Sequence, residues 1–514
     1  MTDLVNVTKY HNKGYKGKGI KVAIIDGGYE GWRSLSYVNP DHAKSFTGGS
    51  MVQLPDNPGG GSHGTGMAQC FHEIAPEAEI YLLKENSCDA VAYGLIKQYC
   101  IDEGILLVSN SLNTENYRGD FLTGNDDYST KLDLLVNSSI TVCTIAGNFA
   151  NSTYFAHLTN DGSGNMIFPN GTPNLNVVVL TTSTFYIEIA RTGFQRPTSE
   201  YEYRVVNNRT GRAEQHILQN GDLDYGLVEI PARFSNIGDV LSLSLIRKRD
   251  SVDYLDIIIS YWTTGNFRLQ DPVEMNKECS LALPGASKKA ITVGAILVSD
   301  YNKRDVVSNI SGWGPIPEDV DEFDHVVVPY TIKPELCAPS EGGATSPTSP
   351  RVAGCLAVLA SAGLCDLSKP EETKQYLLAN HIVKLSVPSI SLGYGRLFLD
   401  AATDWPPPVP SPIDPDDKDV LVYPNPISLR SSSGYLKITN LSLDISKLEA
   451  RIYNINGEFI KSFSILELEE YINKKLLRWD LRNENGDKVA PGVYFISIKT
   501  DSGKTQIKKF AVKI

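Results

Sequence analysis

Between residues 20 and 146 strand and helix signals alternate, and this alternation restricts the fold more than any other feature of the sequence. Ile20–Asp26, Ile80–Lys84, Ile105–Asn110 and Ile140–Ala146 read as buried strands, with helices expected over Asp89–Ile101 and Tyr128–Asn137. Such alternation predicts an α/β fold, a parallel sheet with helices on both faces. Open sheets of this kind do their chemistry at the carboxyl ends of their strands. Three of these ends carry candidate site residues: Asp26 before Gly27-Gly28, Ser109-Asn110-Ser111-Leu112-Asn113, and Ala146-Gly147-Asn148.

Two further stretches are built to approach that edge. Ser62-His63-Gly64-Thr65-Gly66 precedes Met67, Cys70, Phe71 and Ile74, whose spacing predicts an amphipathic helix with His63 at its start. Glu341–Gly354 runs from glycines through Thr345-Ser346-Pro347 into a small-residue apolar run, the pattern of a loop entering a buried helix. A serine at this junction either caps the helix, the commoner case, or attacks a substrate with its own N–H at the positive end of the helix dipole. Attack requires a base oriented by a third group, which His63 and Asp26 could supply.

The order Asp26, His63, Ser346 resembles that of the subtilases, the subtilisin-like serine peptidases. The resemblance is carried by Val22-Ala23-Ile24-Ile25-Asp26-Gly27-Gly28, by His63-Gly64-Thr65-Gly66 and by Ala344–Gly354, and Ile332–Pro339 is similar to a further family run. It covers roughly the first 400 residues, with one interruption. It implies a triad of those three residues, and an oxyanion donor at Asn148, where a neutral amide can donate and a carboxylate cannot. It also places Ser111, Leu112, Asn113, Ala146 and Gly147 against a protein or peptide substrate. Asn113 stands where the family has glycine, Ala344 likewise, and Arg351 stands where the family has a histidine outside the triad. No cofactor is required. The chain has no Asp-x-Asp-x-Asp-Gly calcium loop, and the family's habit of holding calcium on irregular loops leaves structural calcium open. Asp26 comes so early that the family's usual signal and propeptide are not expected within this sequence.

From about residue 155 the pattern turns β-rich, with six segments between Asn174 and Tyr261 and no catalytic constellation. Residues 165–277 are expected to form an inserted antiparallel β domain that divides the catalytic domain into 1–164 and 278–403. Residues 404–418 are a proline-rich linker. Residues 419–514 are expected to form a small β-sandwich, with hairpin turns at Asn456-Gly457 and Asn485-Gly486. This tail resembles the C-terminal sorting domains of bacterial type IX secretion cargo through Val422-Tyr423-Pro424-Asn425-Pro426, Tyr453–Gly457, Trp479-Asp480, Val489–Tyr494 and the ending Lys508–Ile514. That implies engagement of the secretion machinery and a secreted or surface-attached protein.

Composition narrows the rest. Lys+Arg 48 against Asp+Glu 60 gives a net charge of -12, which argues against nucleic acid as a partner. No apolar run is long enough to span a bilayer. The eight cysteines include no Cys-x-x-Cys pair; Cys70, Cys143 and Cys355 are expected as buried small hydrophobes, and no disulfide pairing is assigned. The expected activity is that of a secreted serine endopeptidase working through an acyl-enzyme. The alternative is an inactive subtilase fold serving as a surface binding module.

Overall fold

The computed structural model describes residues 1–399 except 87–88, 114–123, 125, 152, 170, 192–200, 218–224, 248–253, 261–266, 271–279, 304–305, 315 and 321–325. It also describes residues 421–513 except 424–426, 429–434, 442–446, 456–457, 472–473 and 501–504. The chain divides into two compact units, Met1–Pro407 and Pro408–Ile514.

The first unit is built on a ten-stranded sheet. Its strands are β1 (Lys21–Asp26), β2 (Ala43–Ser45), β3 (Val52–Gln53), β4 (Glu79–Lys84), β5 (Leu107–Asn110), β6 (Thr141–Ile145), β7 (Ile291–Leu297), β8 (Leu336–Ser340), β9 (Ile382–Ser389) and β10 (Gly393–Leu397). Their spatial order is β9-β10-β8-β7-β6-β5-β1-β4-β2-β3, parallel from β10 through β2, with antiparallel β9 and β3 at the edges. The central strands read as unbroken apolar runs because both faces are covered: β6 is buried throughout, and β1 at every residue but Lys21. One face carries α1 (His63–Ile74), the other α2 (Ala90–Glu103) and α3 (Asp127–Val136). The parallel register brings Asp26, Ser111, Asn148 and the loop after Ser340 to one edge.

α4 (Thr348–Ser361) is buried from Thr348 to Leu359. It packs on β5, β6, β7 and β8 and beside α1. Its small residues permit close approach. A Cβ added at Gly354 would stand 2.7 Å from Ile74 Cβ. Ser349 Oγ meets Ser109 Oγ at 2.9 Å and donates to Cys143 O at 3.1 Å, stitching the helix to two strands.

Asp126 caps α3, accepting from Tyr128 N at 3.0 Å and Ser129 N at 2.8 Å. Burial pushes its carboxyl up to about 6 against the opposing pull of these donors. A raised carboxyl means that folding favours the protonated form, so stability falls as pH rises from about 4 to about 6. Asp126→Asn keeps the acceptor and removes the buried charge. The variant is expected to melt a few degrees higher at pH 8, with no gain at pH 3.5, in thermal denaturation.

Ten antiparallel strands intervene between β6 and β7. Five form the order 225–230, 185–191, 254–260, 153–160, 166–167, and five the order 213–217, 201–207, 240–247, 175–179, 267–269. Tyr154, Ala156 and Leu158 from one sheet and Val177, Val205, Leu241 and Leu243 from the other share one core, so the insertion is a sandwich. It begins earlier than the expected residue 165. Thr153–Asn160 pairs with Tyr254–Ser260, and its buried alternation at 154, 156 and 158 is the period-two pattern of a half-buried strand. A boundary at 164 would cut the hairpin that joins Thr159 to Ile167. The hairpin Ile316–Val320 with Val326–Thr331 lies outside the main sheet and had no clear sequence signal.

The second unit is also a sandwich, of four and five strands. Trp479 anchors its core edge-to-face against Tyr494 and Phe510, at centroid distances of 6.1 and 5.8 Å. Gly486 takes a positive φ of 84° in the turn expected at Asn485-Gly486. Asn456-Gly457 and the linker 404–418 lie outside the described residues.

Candidate active site

β1 delivers Asp26 to the sheet edge with 1% of its surface exposed. Its Oδ1 accepts from Gly28 N at 3.3 Å, and its Oδ2 meets His63 Nδ1 at 2.8 Å. His63 reaches it because a glycine loop folds flat against the strand end. A Cβ on Gly28 would lie 2.0 Å from Gly60 O, and one on Gly64 would lie 2.7 Å from Asp26 Cβ. Lys84, buried at the end of β4, donates to Pro58 O at 3.0 Å and holds the same loop. The His63 side chain keeps 47% of its surface exposed, so one face of the ring is fixed and the other is open. Its basicity is raised above the ordinary imidazole value by the hydrogen bond it donates to Asp26, against burial and with help from the Asp26 charge.

Ser346 lies two residues before α4. It does not cap that helix: the N-terminal position is Pro347, without a side-chain cap, and Thr348 Oγ1 donates to Thr345 O at 2.6 Å instead. The Ser346 carbonyl accepts from Ser111 Oγ at 2.9 Å, and Ser111 N donates to Ile25 O, beside Asp26, at 3.4 Å. α1 and α4 run in the same direction. Gly354 packs on Ile74, and one turn back Arg351 Nη2 lies 3.9 Å from Cys70 Sγ, so both helices start over the same strand ends. Among the described residues no hydrogen bond joins Ser346 Oγ to His63.

Asn148 is oriented by its neighbour in space. Its Oδ1 accepts from Thr345 N at 2.8 Å and from Thr345 Oγ1 at 3.1 Å, while Thr345 Oγ1 accepts from Gly147 N at 3.1 Å. With the oxygen so engaged, the amide group is fixed with its two N–H donors directed away from Thr345. Thr345 is the residue that sequence reasoning passed over, although its place next to Ser346 was a signal.

The expected substrate-facing residues divide. Leu112 and Asn113 are half-buried, and Leu112 packs beside Gly27. Ser111 is buried, its hydroxyl engaged by Ser346 O. Ala146 and Gly147 depart from the expectation. Both are buried, with Ala146 bonded to Val293 O and Ala282 N, and Gly147 to Thr345 Oγ1 and Gly312 N. Their backbone groups are spent inside the protein, so they brace Asn148 rather than face a ligand.

Of the remaining features, His72 stacks on Tyr37, the ring centroids 3.5 Å apart. Cys70, Cys100, Cys143, Cys337, Cys355 and Cys365 are free thiols, whereas Cys88 and Cys279 lie outside the described residues. Among the described residues, no three His, Cys, Asp or Glu side chains group as a metal site, and no helix is long and apolar enough to cross a membrane.

The fold defines the class: the first unit has the α/β architecture of subtilisin-like proteins. The CspB protease of Clostridium perfringens has a similar fold, with a TM-score of 0.53 at 16% identity over 78% of this chain and 97% of that one. Subtilisin E of Bacillus subtilis (strain 168) is 32% identical over 155 residues, 28% of this chain and 38% of the relative. The subtilisin of Bacillus pumilus is also 32% identical over 155 residues, 52% of its length. The chain thus spans about half or less of the curated relatives it matches. Residues 421–513 match the family described as "Secretion system C-terminal sorting domain". The tail is a type IX sorting domain, which makes the protein a secreted or surface-attached one.

Proposed function

We propose that the first unit is a serine endopeptidase that cleaves proteins or peptides outside the cell. Ser346 attacks the scissile carbonyl while His63 Nε2 takes its proton, later returning it to the leaving amine. Asp26 holds the ring by Nδ1 and stabilises the imidazolium. Asn148 Nδ2 and the Ser346 N–H receive the oxyanion. Water then attacks the acyl-enzyme by the same relay. The reading rests on one observation above all: the buried Asp26 carboxylate bonded to a half-open His63, at the sheet edge where the Ser346 hydroxyl has no hydrogen bond among the described residues. Residues 419–514 would engage the secretion machinery.

A fluorophosphonate probe tests this on the full chain. Labelling of the folded protein at Ser346, mapped by mass spectrometry, is the expected result. A folded protein that takes no label loses the peptidase assignment, and the inactive surface binding module stands in its place.

The donor assignment has its own test. Asn148→Leu is expected to lower kcat by about 10²–10³, the scale for losing such a donor in subtilisin, with little change in KM. Asn148→Asp retains the acceptor that grips Thr345 but brings negative charge to the oxyanion, so its loss should be at least as large. Steady-state kinetics on a cleaved peptide measures both. A KM effect without a kcat effect would assign Asn148 to ground-state binding.

A further inference from the structure

We propose that Arg351, with Glu341, is a positioning residue for Ser346: a charged clamp on the loop that carries it, a role that rests on the peptidase reading above. Arg351 lies in the first turns of α4 with 2% of its surface exposed, among residues that are otherwise small or apolar. A cation is almost never buried so fully without partners. Nη1 donates to Pro339 O at 2.7 Å and Nη2 to Glu341 Oε1 at 2.6 Å. These acceptors flank Ser340, the last residue of β8, so the guanidinium grips the chain where it leaves the sheet toward Ser346.

The far end of the same short loop is held separately. Thr345 is bonded to Asn148 Oδ1, and the Ser346 carbonyl accepts from Ser111 Oγ. Between these anchors the Ser346 hydroxyl has no hydrogen bond of its own among the described residues, so its approach to His63 follows from how the loop's ends are fixed. Nη2 also lies 3.9 Å from Cys70 Sγ on α1, the helix that begins with His63. A single side chain therefore touches the strand exit, the loop and both helices. The planar fork of arginine reaches two acceptors at once, which a lysine ammonium does only with poorer geometry. The Glu341 side chain is 63% exposed, so salt reaches the pair from the solvent side. Burial pushes the Glu341 carboxyl up, but the Arg351 bond and charge outweigh it and hold it below the usual carboxylate value.

The test compares wild type, Glu341→Gln and Arg351→Lys as full-length proteins. Glu341→Gln changes an exposed group and should leave the fold intact even if Arg351→Lys does not. With dye-labelled casein as substrate, Glu341→Gln is expected to lose about three- to tenfold in kcat with KM within about twofold, the scale of one charge-assisted bond. The wild-type kcat should fall between about 0.05 and about 0.5 M salt, and the variant's should not. Hydrogen exchange at Thr345 N–H should quicken in the variant. An active, probe-labelled wild type whose Glu341→Gln variant matches it in kcat, salt response and exchange overturns the clamp alone. A folded wild type that takes no probe overturns the peptidase reading, and the positioning role with it.

Discussion

Replacing Ser346 with alanine is expected to reduce peptide hydrolysis by about 10⁵–10⁶ while leaving the fold unchanged. Three structural facts support the second half of that statement. The Ser346 hydroxyl bonds to no described residue, so removing it strands no buried partner. The anchors of the loop, Thr345 to Asn148 and Ser111 to the Ser346 carbonyl, use groups that alanine keeps or does not touch. The helix that follows is buried through Leu359 without help from Ser346. Circular dichroism and melting temperature should therefore match wild type, whereas fluorophosphonate labelling and casein cleavage disappear. Retained cleavage by a homogeneous preparation would move the nucleophile elsewhere and dissolve the triad.

Asp26→Asn is expected to produce the second-largest loss, about 10⁴ in kcat. The carboxylate accepts from Nδ1, which leaves the Nε2 lone pair free to serve as base; an amide can donate to Nδ1 instead and select the wrong tautomer. The pH dependence should change in a defined direction. The Asp26 hydrogen bond raises the basicity of His63, so the acid limb of kcat/KM lies above about 6.5 in wild type and moves down in the variant. Stability follows the same linkage. A histidine whose folded value is raised contributes its full stabilisation below its unfolded value near 6.5, and the contribution fades as pH rises through the folded value. The variant should thus be more destabilised, relative to wild type, at pH 5.5 than at pH 9 in urea titrations. An equal difference at both pH values would mean that the pair does not titrate as described.

Much of the main sheet was legible because its strands are long apolar runs ending in Gly, Ser or Asn, and because helix spacing around Met67, Phe71 and Ile74 is regular. The triad candidates were legible as residue types in context, Asp26 at a strand end and His63 and Ser346 where loops enter helices. What escaped were relations that depend on distance across the sheet. Nothing in the order of residues says that Thr345 would turn the Asn148 amide, or that Ala146 and Gly147 would spend their backbone groups on Val293, Ala282, Thr345 and Gly312. Thr153–Asn160 was missed as the first strand of the insertion because it mixes polar and apolar residues close to the oxyanion motif. Arg351 was marked in the sequence only as standing where the family has a histidine, and its partners could be seen only once β8 and α4 were placed side by side.

The insertion lies in the chain between two strands that touch, since β6 and β7 pair directly. Asn148 leaves the ribosome long before Ser346, and the sandwich has to be accommodated before the late strands can dock on the early ones. Under the roles proposed above, the growing chain therefore carries His63 and Asp26 before Ser346 and the Thr345–Asn148 clamp have been made. Any cutting power is confined to molecules synthesised past α4, a form of latency written into the order of the segments.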